Sequence, residues 1–295
     1  MNTFPRQFAK RAVNKVKRWL DSDGEQIELN DEASRFHNLV YSDLNCKLIK
    51  IMKESGNSVR PNYTWAVLQS AHLAKTLGYK RFSVLEFGVA GGLGLTSLEE
   101  TARRVEALLG IGIDVYGFDT GVGLPAAMDY RDMPNIYTVG TYQMDVEALR
   151  SRLKKAKLIL GPISETMGGF LASNPAPVGF ISVDVDIYTS SVDCLKVLEA
   201  DESLLLPRVH CYFDDIMGAS CADFLGERLA MNEFNETHKD AKISPIYGLW
   251  HYVPRKYSQD LWPHMMFMAH LLSHSRYCDD DGMVTQKSEN LVPVS

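Results

Sequence analysis

From residue 82 to about residue 240, short apolar runs alternate with segments of helical periodicity. No other feature of the chain constrains its fold as strongly. SVLEFGV (83–89) is followed by LTSLEETARRVEALL (95–109) and IDVYGFD (113–119). Then come AKLIL (156–160), VGFISVDVD (178–186), SSVDCLKVLEA (190–200), VHCYFDDI (209–216) and FLGERLAMNEFN (224–235). Such alternation predicts an α/β fold, a mostly parallel sheet with helices on both faces. Two helical segments precede it, one within 33–57 and one at TWAVLQSAHLAKTLGY (64–79), which stops at Gly78. After residue 242 the pattern changes, and ISPIYGLWHYVPRKY (243–257) and WPHMMFMAHLLSHSRY (262–277) read as two late, antiparallel strands of the same sheet. The expected organisation is a helical N-terminal extension over 1–60, one α/β domain over 61–278 and a loose tail over 279–295.

Charge narrows the partners. The 295 residues carry a net charge of −6, yet the first twenty hold six Lys or Arg and no acid, which leaves −12 on the remainder. Nucleic acid is a poor match for that remainder, since phosphates want a basic face. Residues 3–20 read as a basic amphipathic helix, with Phe4, Phe8, Val13, Val16 and Trp19 as its apolar positions. It suits a membrane surface, a second subunit (and so a homo-oligomer) or its own domain. Residues 21–32 are acidic and polar, and read as a linker. Five cysteines form no C-x-x-C pair, which suggests reduced thiols and a cytoplasmic setting. No apolar run has the length of a membrane span, and the basic N-terminus lacks the apolar stretch of a signal peptide.

The first strand runs into Glu86-Phe87-Gly88-Val89-Ala90-Gly91-Gly92-Leu93-Gly94 and then a helix. Glycines there let the chain turn tightly and a ligand approach, and the helix offers free N–H groups. A dinucleotide site would show G-x-G-x-x-G. The order here puts an acid, Glu86, first, which suits a ligand bearing an ammonium group and no phosphate. The second strand ends at Asp119, where a carboxylate can accept ribose hydroxyls of either an NAD or an S-adenosyl-L-methionine (SAM) ligand, or simply cap the next segment.

Two more strand ends carry paired acids, Asp184 with Asp186 and Asp214 with Asp215. In an open parallel sheet these ends face the ligand crevice. Four carboxylates meeting there repel one another unless a cation joins them, and oxygen ligands select hard ions such as Mg²⁺. Taken one pair at a time, such acids also serve as loop or helix caps.

Together these motifs resemble the macrocin O-methyltransferase (TylF-like) family, which comprises class I, SAM- and Mg²⁺-dependent methyltransferases of sugars and natural products. The matching segments are LEFGVAGGLG (85–94), GFDTGVGLP (117–125), LILGPISETM (158–167), VDVDIYTSSVDCLKVL (183–198) and FDDIMG (213–218) with GERLAMNEF (226–234). The resemblance covers roughly 82–240. It implies a Rossmann-like class I methyltransferase fold and SAM held by Glu86, Gly88, Ala90, Gly92 and Asp119. It also implies Mg²⁺ (or Mn²⁺) on Asp184, Asp186, Asp214 and Asp215, with either Asp184 or Asp186 as catalytic base towards a hydroxylated small molecule. Two positions depart from the family: Val185 replaces the usual glycine between the fourth-strand acids, and Gly121-Val122 replace an aromatic and an acid.

An NAD-type oxidoreductase, a non-catalytic SAM-binding scaffold and a related hydroxylase remain competing readings. The substrate itself is not written in the sequence. His210, His238, His251, Tyr188, Trp250 and Arg255 are candidates for contacting it, each with an ordinary structural role as the alternative.

Overall fold

The computed structural model describes residues 39–279, with only the backbone of 39–42. The basic segment 3–20, the linker 21–32 and the tail beyond residue 279 lie outside the described residues. Helix α1 (Leu39–Ser55) is the described part of the helical segment expected over 33–57. Its Leu44, Leu48 and Ile51 are buried in the core, and it packs on α2 (Pro61–Thr76). Pro61, with its φ preset, occupies the first turn of α2, while Arg60 before it is extended at φ −99°. Most of α2 is buried, from Asn62 through Ala74.

Seven strands follow the predicted runs: β1 (Arg81–Phe87), β2 (Gly112–Asp119), β3 (Lys157–Leu160), β4 (Val178–Val183), β5 (Leu205–Phe213), β6 (Ala241–Pro245) and β7 (Met266–Leu271). The sheet order is β3-β2-β1-β4-β5-β7-β6, and β7 alone runs antiparallel to its neighbours. The two late strands expected over 243–257 and 262–277 are present but short, as β6 and β7, and residues 249–252 of the first run form a helical turn instead. Helix α3 (Leu93–Leu109) follows β1 and packs with α1 and α2. Helices α5 (Ile163–Ala172), α6 (Tyr188–Leu195) and α7 (Gly226–Thr237) form the other packed set. A short α4 (Val146–Arg152) precedes β3, and α8 (Leu249–Tyr252) lies between β6 and β7.

Ring contacts separate the two faces of the sheet. Tyr63 of α2 meets Phe180 and Tyr212, with centroids 5.7 and 6.1 Å away. On the opposite face Phe118 meets Phe87 and Phe170 at 5.0 and 5.3 Å. The apolar strands are thus buried on both sides, as parallel sheets require. This seven-strand order with its one reversed strand is the Rossmann-like class I methyltransferase fold. Strand order reverses between β1 and β4, so the ligand crevice is expected beyond their carboxyl ends.

Candidate active site

The register of three neighbouring strands brings the site residues to one level. Phe87 of β1 pairs with Val183 of β4, which pairs with Phe213 of β5. The ladder runs one residue further, because Asp184 N–H donates to the Phe87 carbonyl and Asp214 N–H to the Val183 carbonyl, both at 3.0 Å. Asp184 and Asp214 therefore leave adjacent strands at the same height. A cleft of about 530 Å³ opens there, lined by Gly88 to Gly94 on one side and by Asp184, Asp186, Asp214 and Asp215 on the other.

The turn after β1 is built on close approach. Gly88 has φ +84°, and a methyl group at its Cα would lie 1.7 Å from the Asp184 carbonyl oxygen. Gly94 packs so tightly on Glu86 that its Cβ would lie 1.8 Å from Oε1. Ala90 takes a left-handed φ of +45° without being glycine. Gly92, at φ +79°, precedes α3 with no side chain capping that helix, so its first amides are open to a ligand.

Glu86 is buried at the base of this turn. Its Oε1 accepts a 2.7 Å bond from the Tyr63 hydroxyl, which also meets Ser182 Oγ at 2.9 Å, and its Oε2 has no partner. Burial pushes the Glu86 carboxyl up to about 8, against the pull of the Tyr63 bond and the Arg60 charge. Asp119 is already engaged: Oδ2 accepts from the Val89 and Ala90 amides at 2.8 Å each, and Oδ1 from Gly121 N–H at 2.6 Å. It therefore shapes the glycine turn directly. Gly121 makes its bond at φ +77°.

Of the four aspartates, three converge. Asp184, Asp214 and Asp215 each offer an oxygen within 4.8 Å of the others, while Asp186 lies outside that group. Burial, then repulsion from Asp214 and Asp215, pushes the Asp184 carboxyl up to about 8. Asp215 rises to about 6 for similar reasons, and its Oδ2 has no partner. Asp186 lines the same cleft, and burial with repulsion from Asp215 and Asp214 lifts it to about 7. It is held at φ +63°, with the Ile187 N–H bonded back to the Val185 carbonyl at 2.6 Å. With valine at 185, the strained conformation of this turn falls on Asp186, a residue type that tolerates it.

Other groups around the acids were not singled out from the sequence. Tyr212 donates to Asp214 Oδ1 at 2.7 Å, and Tyr137 to Asp215 Oδ1 at 3.2 Å. Glu227 of α7 is fully buried and accepts from Asp215 N–H at 3.1 Å, with Oε1 left unpartnered. Burial holds its carboxyl well above the ordinary range. Asp132, also fully buried, accepts from Met128 N–H and from both the N–H and hydroxyl of Thr189. An acid inside a helical apolar pattern, as Glu227 is, was the one available signal. Tyr212 looked like any apolar-strand residue, and only the fold reveals its partner.

None of His210, His238, His251, Tyr188, Trp250 and Arg255 lines the cleft. His210 is a core residue bonded to Ser70 at 2.9 Å, and burial drives its ring down to about 3.

No protein-family model and no curated protein matches the chain. Among solved structures, CalS11, a calicheamicin methyltransferase, is 17% identical, with 84% of this chain and 91% of that chain covered and a TM-score of 0.43. An apo structure of CalS11, described as a TDP-rhamnose 3'-O-methyltransferase, is 19% identical over 70% of this chain and 90% of that one, with a TM-score of 0.38. The O-methyltransferase from Bacillus cereus in complex with SAH is 13% identical, covering 80% and 98%, also with a TM-score of 0.38.

Proposed function

We propose that this chain is a SAM-dependent O-methyltransferase of the macrocin type, assisted by a divalent cation and acting on a hydroxyl of a sugar or similar small molecule. The observation that carries this reading is the convergence of Asp184, Asp214 and Asp215 beside a glycine turn at the switch point of the sheet. The donor set is all oxygen, and Asp215 Oδ2 is buried with no partner among the described residues, which fits a hard cation such as Mg²⁺ or Mn²⁺. The cradle at Gly88 and the uncapped start of α3 fit the polar end of SAM.

Bound in this cleft, SAM would supply the methyl group that the acceptor oxygen takes, with the thioether SAH as leaving group. A divalent cation held by the acids would supply positive charge to stabilise a deprotonated acceptor. The chain's own residues divide the remaining work. Asp184, Asp214 and Asp215 would hold the cation, with Tyr212 and Tyr137 fixing the orientation of the last two. Asp186, outside that group but on the same cleft wall, would take the acceptor proton. Asp119, with three amide bonds already accepted, keeps one acceptor site on Oδ1 for a ribose hydroxyl. The five cysteines are all free, in keeping with a reducing cytoplasm. Contact with a membrane surface or a second subunit would fall to the basic N-terminal stretch, and nucleic acid is not an expected partner.

Calorimetry with SAH and NAD separates this enzyme from an oxidoreductase, since SAH alone should bind. With sugars and phenols screened against labelled SAM, chelated enzyme should be nearly inactive and should recover with Mg²⁺ or Mn²⁺. Asp214→Ala should bind SAH normally, lose Mg²⁺ binding by calorimetry and turn over at least ~100-fold more slowly. Full activity in excess chelator would remove the cation from the mechanism.

A further inference from the structure

Among the described residues, six aspartates and Glu86 line the cleft, and against them stands a single basic side chain, Arg60. Its backbone is fixed at both its N–H and its carbonyl. The Arg60 N–H donates to Ser97 Oγ of α3 at 2.8 Å, and its carbonyl accepts from both the N–H and the hydroxyl of Thr64. The guanidinium lies over the Tyr63 ring at 5.3 Å, and Tyr63 is itself pinned by Glu86 and Ser182. Yet the guanidinium makes no ion pair or hydrogen bond with any described residue. Five donors are therefore held, half-buried, at the wall that also carries Glu86, Gly88 and Asp184.

We propose that Arg60 binds the carboxylate of the donor's amino-acid end and so makes the site selective for a zwitterionic ligand. The inference rests on the SAM reading and adds to it the group that recognises the acid. A cleft with so many carboxylates attracts the ammonium group of SAM but repels its carboxylate. One preorganised guanidinium offsets that repulsion and offers the fork geometry a carboxylate needs. The backbone bonds and the Tyr63 stack lower the entropy lost on binding. A purely structural Arg60, there only to offset the charge of Glu86 and the aspartates, would not distinguish ligands by their carboxylate.

The test is a two-by-two calorimetric comparison. SAH and its decarboxylated analogue, which lacks only the carboxylate, are titrated into wild type and Arg60→Gln, with thermal unfolding as the check on folding. Wild type should bind SAH roughly 10- to 150-fold more tightly than the analogue, the range for a charged hydrogen-bonded contact. Arg60→Gln should lose most of that preference by weakening SAH alone, and Arg60→Lys should keep part of it. A wild-type preference below about threefold overturns the inference without any variant, so misfolding of Arg60→Gln cannot shelter it. An unchanged preference in Arg60→Gln, or equal weakening of both ligands, also overturns it. If wild type binds neither ligand, the SAM reading fails first and takes this one with it.

Discussion

Gly88 and Gly94 differ in what stands where a methyl group would go. At Gly88 the obstacle is the main-chain carbonyl of Asp184, held in the sheet ladder, and φ is +84°. At Gly94 it is the carboxylate of Glu86, a side chain that can rotate at the cost of its Tyr63 bond. Gly88→Ala should therefore cost at least ~2 kcal/mol in chemical denaturation and more than Gly94→Ala, because backbone strain adds to the collision. Gly94→Ala should chiefly disturb Glu86 and weaken SAH. Equal stability losses at the two positions would show that the strand ends can part. The motif order made both glycines visible in the sequence, but their separate duties depend on partners in other strands.

Among the elements, the segment joining β2 to α4 is the one whose place the sequence did not give. It has no regular periodicity, and it brings Tyr137 and Tyr142 near the acids with Asp132 as its fully buried polar anchor. Asp132 gathers the Met128 amide and two donors of Thr189 at the start of α6, tying the loop to the β4 side of the cleft. Asp132→Ala would leave those donors without an acceptor. A loss of about 2–3 kcal/mol is expected, with faster proteolysis between residues 120 and 145, and an unchanged melting temperature would refute it. The strands were far easier to read. Their apolar runs are buried on both faces, and period and length sufficed for β1, β2, β4 and β5. The helices α4 and α5 were missed, α4 being only seven residues long and α5 glycine-bearing. Site residues at strand ends were legible because topology puts the carboxyl ends of the parallel strands on one side. Arg60 and Tyr63 were not, since they reach the site from the entry and first turn of a helix whose packing no local pattern encodes.

Across the whole molecule the acids impose an unusual pH dependence. Glu86 and Asp184 are raised to about 8, Asp186 to about 7 and Asp215 to about 6, each mainly by burial. In the unfolded chain such groups titrate near ~4. Between those limits the folded state binds more protons than the unfolded one, so stability falls as pH rises from about 4 to 8 and levels off above. Metal-free protein should melt at least ~2 °C higher at pH 6 than at pH 8.5, and Mg²⁺ should recover the difference at the higher pH. A melting temperature that rises with pH in chelator would contradict the burial of these carboxyls. The same acids have a consequence in time. They reach one level only through parallel pairing of β1, β4 and β5, which crossover segments keep far apart along the chain. Pairings of that kind are entropically costly to close and tend to form late. The mutual repulsion is thus deferred until most of the apolar sheet is in place to outweigh it, and a nascent chain that has not yet added β5 carries no cation trap at all.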